Sequence, residues 1–468
     1  MTITTSAPIE VRNPATGETL ATLPAAGPDD VDAAISAAAD GAAAMRALPA
    51  HERAALLERV ARALEDEAES LARLLATENG KPIVQTRGEV AAAVRIFRGF
   101  GEEAKRLFGR QIPLDAVPGL ERDLAITFRE PVGVVAAIVP FNYPVELYAH
   151  KGAAALAAGN AVIVKPPEKC PLAVMRVAEL VEAAGAPPAA HQVVLGGPAV
   201  AQRLAASPGV NLVALTGSTT AGRAVSELAA AHLTKVRLEL GGNDPMIVCA
   251  DADLDRAVDA VVLGRLARGN GQICCAVKRV FVQDAIHDAF AQRLAERARA
   301  LVVGDPLDER TEVGPLITED AARRVEEQIE ATVAAGATVL AGGSRDGAFV
   351  APTVLADVAP VPPEQETEVF GPVAPLLRVA DPEEALRHAN ASRYGLQAAV
   401  FTRDVGRALS LAKRLEAGGV IVNGSTALRA ENLPFGGVKL TGGAREGLHD
   451  TLLEMTEQKT VIVMEAFE

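Results

Sequence analysis

Tryptophan is absent from this chain of 468 residues, and aromatic side chains make up only 3% of it. Large rings therefore cannot fill the interior, and the cores have to be built from Ala, Val and Leu packed at high density. Cysteine is scarce as well. Cys170, Cys249, Cys274 and Cys275 are too few and too scattered for a disulfide framework. With no Cys-x-x-Cys or His-x-x-x-His pair, no metal site is expected. An excess of positive charge is also missing. The formal net charge of -14 argues against a nucleic-acid or anionic-membrane partner. No apolar run reaches the roughly 20 residues that span a bilayer. The start, Met1 to Pro8, has neither the basic nor the apolar region of a secretory leader. These absences lead to the expectation of a soluble, cytoplasmic protein.

What is present is an ordinary globular mixture, 49% hydrophobic and 23% charged, in a chain too long for one core. Asn13-Pro14 to Gly17 reads as a turn. Asp29 to Leu48 and Pro49 to Glu78 carry apolar residues at helical spacing, with Leu57, Val60, Leu64, Leu71 and Leu75 on one face. Asn79-Gly80-Lys81-Pro82 is a helix stop. From about residue 130 short unbroken apolar runs take over: Val134–Val139, Ala161–Val164, Val193–Leu195, Leu212–Leu215 and Met246–Cys249. Such runs suit strands buried on both faces, and helical stretches such as Leu172–Ala184 and Ala221–Ala230 separate them. The alternation predicts a doubly wound α/β domain, followed by a second α/β series from Asp255 to about Val422.

Several segments carry chemistry. Gly269-Asn270-Gly271-Gln272-Ile273-Cys274-Cys275 breaks otherwise helical sequence just ahead of two thiols. A helix N-terminus there would lower a thiol pKa, and its N–H groups would hold an oxyanion. Taken alone, two buried cysteines serving as small apolar side chains are the simpler account. In Lys235 to Glu239, strict alternation sets Lys235, Arg237 and Glu239 on one face, which by itself reads as a solvated strand face. Gly241-Gly242 then permits close approach of a backbone or ligand. Lys165 and Glu168, just beyond an apolar run, stand where a parallel sheet receives ligands; a capped, exposed loop explains them equally well. Gly217-Ser218 opens a helix and offers N–H groups to a pyrophosphate, or Ser218 is a plain N-cap. There is no Gly-x-Gly-x-x-Gly.

The order of the motifs decides between these readings. Pro140-Phe-Asn142-Tyr-Pro144, Lys165-Pro-Pro-Glu168, Gly217 to Gly222, Glu239-Leu-Gly-Gly242, Gly271-Gln-Ile-Cys274, Glu368-Val-Phe370-Gly-Pro372 and Pro434-Phe-Gly-Gly437 follow one another along the chain. The series resembles the aldehyde dehydrogenase superfamily over essentially its whole length. That resemblance implies an α/β fold with an atypical Rossmann-like coenzyme domain in residues 1–121 and 138–240 and a catalytic domain in 241–438. It also implies a β oligomerisation element in 122–137 and 455–468, a helix in 439–454 returning to the coenzyme domain, and a homodimer or homotetramer. The tail Thr460-Val-Ile-Val-Met464 is a bare apolar strand, an edge that needs a partner.

By the same resemblance, Cys274 attacks the aldehyde, Asn142 and the Cys274 N–H hold the oxyanion, and Glu239 activates the water that hydrolyses the thioester. Lys165 and Glu168 would hold the adenosine ribose, Gly217 and Ser218 the pyrophosphate, and Glu368 and Phe370 the nicotinamide ribose side. A carboxylate at 168 favours NAD over NADP. One departure stands out: the family has Asn two residues before the Gly-Gln pair, and here Gly269 occupies that place beside Asn270. The gap from Glu239 to Cys274 is 35 residues (274 − 239), one longer than expected, which predicts a local bulge.

Lys278-Arg279 and Arg429 to Phe435 resemble the branch containing lactaldehyde, phosphonoacetaldehyde and non-phosphorylating glyceraldehyde-3-phosphate dehydrogenases. Arg429 there faces a hydroxylated or anionic substrate, or forms a surface ion pair with Glu431; His150 is a second substrate candidate, or a hydrogen-bonded helix residue. Phosphate-handling members carry Arg before the nucleophile, where this chain has Ile273, which argues against phosphate or phosphonate. Two alternatives to hydrolytic oxidation remain at this level: a coenzyme-A-acylating dehydrogenase, against which Glu239 counts, and a non-catalytic protein on the same fold.

Overall fold

A computed structural model describes residues 7–362 and 366–467. The first six residues, part of the segment read above for a leader, lie outside the described residues. Pro49 to Glu78 forms two helices rather than one, Ala50–Asp66 and Ala68–Asn79, broken where Glu67 leaves helical geometry (φ -105°, ψ 12°). Leu57, Val60, Leu64, Leu71 and Leu75 all point into the same core, each adding about 1.5–3 kcal/mol of burial. Gly80 ends the second helix in the left-handed conformation.

The unbroken apolar runs form strands, as their composition predicts. His191–Val193, Ala161–Lys165, Val134–Ile138, Leu212–Thr216 and Lys235–Glu239 lie side by side in that order, all parallel. Two hydrophobic clusters cover the two faces of this sheet. One face packs on helices 50–66, 83–104, 144–158 and 172–183, the other on 28–47, 198–205 and 219–230. Burial on both sides is why Val134–Ile138, Ala161–Lys165 and Leu212–Thr216 carry no alternating pattern. The strand His191–Val193 shares only Val193 with the apolar run Val193–Leu195, which therefore lies mostly beyond it.

Pro245–Val248 belongs to a second sheet of seven strands, six parallel and one antiparallel at the edge. A third sheet pairs Thr456–Val463 antiparallel with Leu124–Pro131, from Thr456 opposite Pro131 to Val463 opposite Leu124. Gln111–Ile112 covers the far edge of Leu124–Pro131, so the tail strand is the outer edge, with Ile462, Val463 and Met464 exposed. The helix Leu448–Glu454 packs against helices 83–104 and 144–158. Among the described residues no helix is long and apolar enough to cross a membrane.

Candidate active site

The first sheet reverses its winding between Val134–Ile138 and Leu212–Thr216, which opens a crevice at their carboxyl ends. Asn142 follows the first of these strands and is buried. Its backbone oxygen accepts a 2.6 Å hydrogen bond from Lys81 Nζ, which also sits 3.9 Å over the Tyr143 ring. Lys81 is paired with buried Glu89, whose Oε1 accepts from Val145 N at 2.9 Å and so caps the helix Pro144–Ala158. This arrangement fixes the Asn142 loop from behind. The Asn142 Nδ2 donates to Gln272 O at 3.1 Å, reaching the loop that carries the thiols.

That loop is built from backbone few residues tolerate. Val262–Ala267 is a π-helical stretch, and Gly269, Asn270 and Gly271 follow with φ of 59°, 55° and 72°. A π-helical stretch and three left-handed residues thus lie between Glu239 and Cys274. Asn270 locks the turn, donating to Gly80 O and Pro315 O at 2.9 Å each and accepting from Gly314 N at 2.8 Å. Gly271 is packed against the Gly371 backbone with no room for a Cβ. Cys274 emerges half-buried, whereas the other three cysteines are buried. No helix starts at Cys274, so the expected helix N-terminus is absent. The thiol is pushed up rather than down, by its contact with the Cys275 thiol and by burial, against the pull of the Lys278 and Arg429 charges.

Cys274 shares a chamber with Asn142, Leu147, Glu239, Leu396 and Phe435. Glu239 is not on a solvated face: its side chain is 9% exposed and Arg237 is buried, which corrects the reading from alternation alone. Lys151 Nζ donates to Glu239 Oε2 at 2.8 Å and Thr216 Oγ1 donates to the same oxygen, while Arg237 pairs with Oε1. Burial pushes this carboxyl up, and the charges of Lys151 and Arg237 with the hydrogen bonds from Lys151 and Thr216 override it, holding it well below the usual carboxylate range.

The remaining candidates surround the crevice. Lys165 ends its strand, and its Nζ donates to Glu168 Oε1 at 2.9 Å. Ser218 caps the helix Thr219–Ala230, its Oγ accepting from Ala221 N at 3.2 Å. Glu368 accepts from Lys278 Nζ at 2.5 Å, and Lys278 also donates to Gly242 O at 2.9 Å and to Cys274 O. Phe370 stands edge-on to Phe141, ring centres 5.9 Å apart. An exposed helix N-terminus at the winding reversal, a Lys–Glu pair on one side and a carboxylate beside the nucleophile loop on the other fit an extended dinucleotide.

The model of the aldehyde dehydrogenase family matches residues 2–461. This chain belongs to that family. A 3-sulfolactaldehyde dehydrogenase of Priestia aryabhattai is 40% identical over 461 residues, 98% of this chain and 96% of the relative. An NADP-dependent succinate-semialdehyde dehydrogenase of Escherichia coli is 40% identical over 444 residues, covering 94% and 91%. The solved structure of an aldehyde dehydrogenase from Physcomitrella patens with its product succinate superposes with a TM-score of 0.94 at 35% identity, covering 98% and 95%. The chain is thus an aldehyde-oxidising, NAD(P)-dependent oxidoreductase.

In this dehydrogenase the substrate candidates are placed differently from each other. Arg429 lines the Cys274 chamber and also an outer cavity of about 400 Å³. Its partner is buried Glu446, not Glu431, which pairs with Arg95 at 2.7 Å. His150 lines only the outer cavity, with Nε2 3.5 Å from Glu446 Oε1, and burial keeps its pKa below the ordinary value. Sequence reasoning set Arg237 on the face of Glu239 without giving it a role, and missed Lys151 and Arg268. Arg268 lines both cavities, and its position six residues before Cys274 was the available signal.

Proposed function

We propose that this dehydrogenase oxidises a short aldehyde carrying a carboxylate or sulfonate at its far end to the corresponding acid, with NAD preferred over NADP. The observation that carries the reading is Arg268. Its guanidinium has no carboxylate within ion-pair distance among the described residues, and donates only to Tyr143 Oη at 3.3 Å and Ala427 O at 2.6 Å. A half-buried cation lining both cavities, as Arg429 does too, is a seat for an anion. Glu146 also lines both and forms no ion pair with either guanidinium. The names of the relatives, a sulfonated and a carboxylated aldehyde, agree with this seat.

Cys274 attacks the carbonyl, and the Asn142 amide with the Cys274 N–H holds the oxyanion. A bound nicotinamide coenzyme would supply the hydride acceptor, and Cys274 would then carry the acyl group as a thioester. Glu239 takes a proton from the water that hydrolyses it, releasing the acid and restoring the thiol. Lys165 and Glu168 would hold the adenosine ribose, Gly217 and Ser218 the pyrophosphate, and Glu368 with Phe370 the nicotinamide ribose. Glu168 repels a 2′-phosphate. The expected kcat/KM is at least tenfold higher for succinic semialdehyde than for butanal, and higher with NAD than with NADP, followed by absorbance of the reduced coenzyme. Equal values for the two aldehydes would sink the anionic class.

We further propose that the free edge of Thr456–Val463, with exposed Ile462 and Val463, is covered by a second copy of the chain. Static light scattering should give two or four times the chain mass; a single-chain mass removes the proposal.

A further inference from the structure

Of the charged side chains around the Cys274 chamber and the outer cavity, all but two are matched within the chain. Glu239 is held by Lys151 and Arg237. Arg429 pairs with Glu446, Arg95 with Glu431 and Glu89 with Lys81. His150 stands beside Glu446, and burial pushes its pKa down. Arg268 and Glu146 are left over. Both are half-buried, and each lines the two cavities. Among the described residues neither forms an ion pair, with the other or with any third group. Arg268 has only Tyr143 Oη and Ala427 O, and the one hydrogen bond of Glu146 outside its own helix is made by its backbone N–H, to Glu89 Oε1 at 3.3 Å.

That hydrogen bond fixes Glu146 in the first turn of the helix Pro144–Ala158, with His150 one turn later on the same face. The carboxylate is near enough for its charge to act on Arg268, Arg429 and His150. A half-buried charge without a partner loses solvation that nothing in the chain offsets, so the two together describe what a ligand has to bring. A purely anionic end satisfies Arg268 and is repelled by Glu146. An end carrying one anion and one cation matches both.

We propose that Glu146 is a specificity-determining residue that binds an ammonium group of the substrate, and that the aldehyde carries a carboxylate for Arg268 with a protonated amine on the adjoining carbon. The ammonium donates to the Glu146 carboxylate in a charge-assisted hydrogen bond. The inference deepens the anionic-substrate reading and rests on Arg268 as the seat of the acid.

The test compares butanal, succinic semialdehyde and the 2-amino and 2-hydroxy derivatives of succinic semialdehyde, near neutral pH where the amine is protonated, with coenzyme at saturation. In the wild type, kcat/KM for the 2-amino derivative should exceed that for succinic semialdehyde at least about tenfold, and the 2-hydroxy derivative should stay within about threefold of it. In Glu146→Gln the side chain keeps its shape and loses its charge. The preference for the amine should then shrink to within about threefold, mainly through KM, while Glu146→Asp keeps part of it. A merely structural role would lower all four aldehydes in proportion and leave the ratio unmoved, which overturns the inference. It is also overturned if the 2-hydroxy derivative is favoured as strongly as the 2-amino one, because Glu146 would then be reading a neutral donor. Competition in the wild type needs no variant: 2-aminosuccinate should inhibit at least about tenfold more strongly than succinate, and equal inhibition counts against the ammonium site. The two levels separate in the wild type. Equal kcat/KM for succinic semialdehyde and butanal removes the anion seat at Arg268, whereas a preference for succinic semialdehyde with none for its 2-amino derivative removes the ammonium site alone.

Discussion

Cys274→Ala is expected to lower kcat for aldehyde oxidation at least about 10,000-fold, some 5.4 kcal/mol at 1.36 kcal/mol per decade, while the Kd for the coenzyme stays within threefold. Cys275 lines the same chamber, but it is the more deeply buried of the two thiols. Cys275 is 2% exposed, sits among Leu147, Ile273, Ala276 and Leu396, and its backbone oxygen is tied to Thr426 Oγ1 at 2.7 Å. Cys275→Ala should therefore cost less than tenfold. Because burial and the Cys275 contact push the Cys274 thiol up, the thiolate fraction in the free protein is small and grows with pH. Alkylation of Cys274 by iodoacetamide should accelerate about tenfold per pH unit through the neutral range, as expected below a raised pKa. Full activity in Cys274→Ala would transfer the nucleophile to Cys275. A pH-independent alkylation rate would show a thiol already ionised, contrary to the surroundings seen here.

What the sequence makes legible and what it hides separate along physical lines. Val134–Val139, Ala161–Val164 and Leu212–Leu215 could be assigned as strands because burial on both faces leaves an unbroken apolar signature that needs no knowledge of neighbours. Asn142, Cys274 and Glu239 became candidates through the order of short motifs, and the fold brings all three to one chamber. The electrostatics of that chamber were hidden. Alternation correctly set Arg237 and Glu239 on one face, but the partner that buries Arg237 is Glu454, 217 residues away. Lys151 sits beside the singled-out His150, and only the helix register shows that Lys151, not His150, reaches Glu239. Arg429 was given Glu431 as a neighbour in sequence, whereas Glu446 stands closer in space. A one-dimensional pattern encodes which face a residue takes, and long-range ion pairs choose their partners only after the chain has closed. The raised thiol is hidden for the same reason. Whether a thiol follows a helix N-terminus depends on the loop geometry, and Gly269, Asn270 and Gly271 bend the chain into left-handed turns instead.

Arg268→Met is expected to lower kcat/KM for succinic semialdehyde about 100-fold, some 2.7 kcal/mol, while that for butanal stays within threefold. The two substrates share a four-carbon chain and differ only in the carboxylate, so the ratio isolates what the guanidinium does for the anion. Arg268 is a cleaner probe than Arg429. Removing Arg429 would leave Glu446, 1% exposed, with only His150 at 3.5 Å, an imidazole whose pKa burial pushes down. The uncompensated carboxylate would then repel an anionic substrate and destabilise the fold by about 3–5 kcal/mol. Removing Arg268 strands no carboxylate, because none is within ion-pair distance of it among the described residues; it costs the hydrogen bonds to Tyr143 Oη and Ala427 O. Methionine keeps the length and the apolar contact with the Tyr143 ring, which lies 5.8 Å from the guanidinium. The loss should fall mainly on KM if the guanidinium holds the far end of the substrate equally in the ground and transition states. Equal losses for the two aldehydes would mean that Arg268 serves the chamber wall, and the anionic substrate class would fall with it.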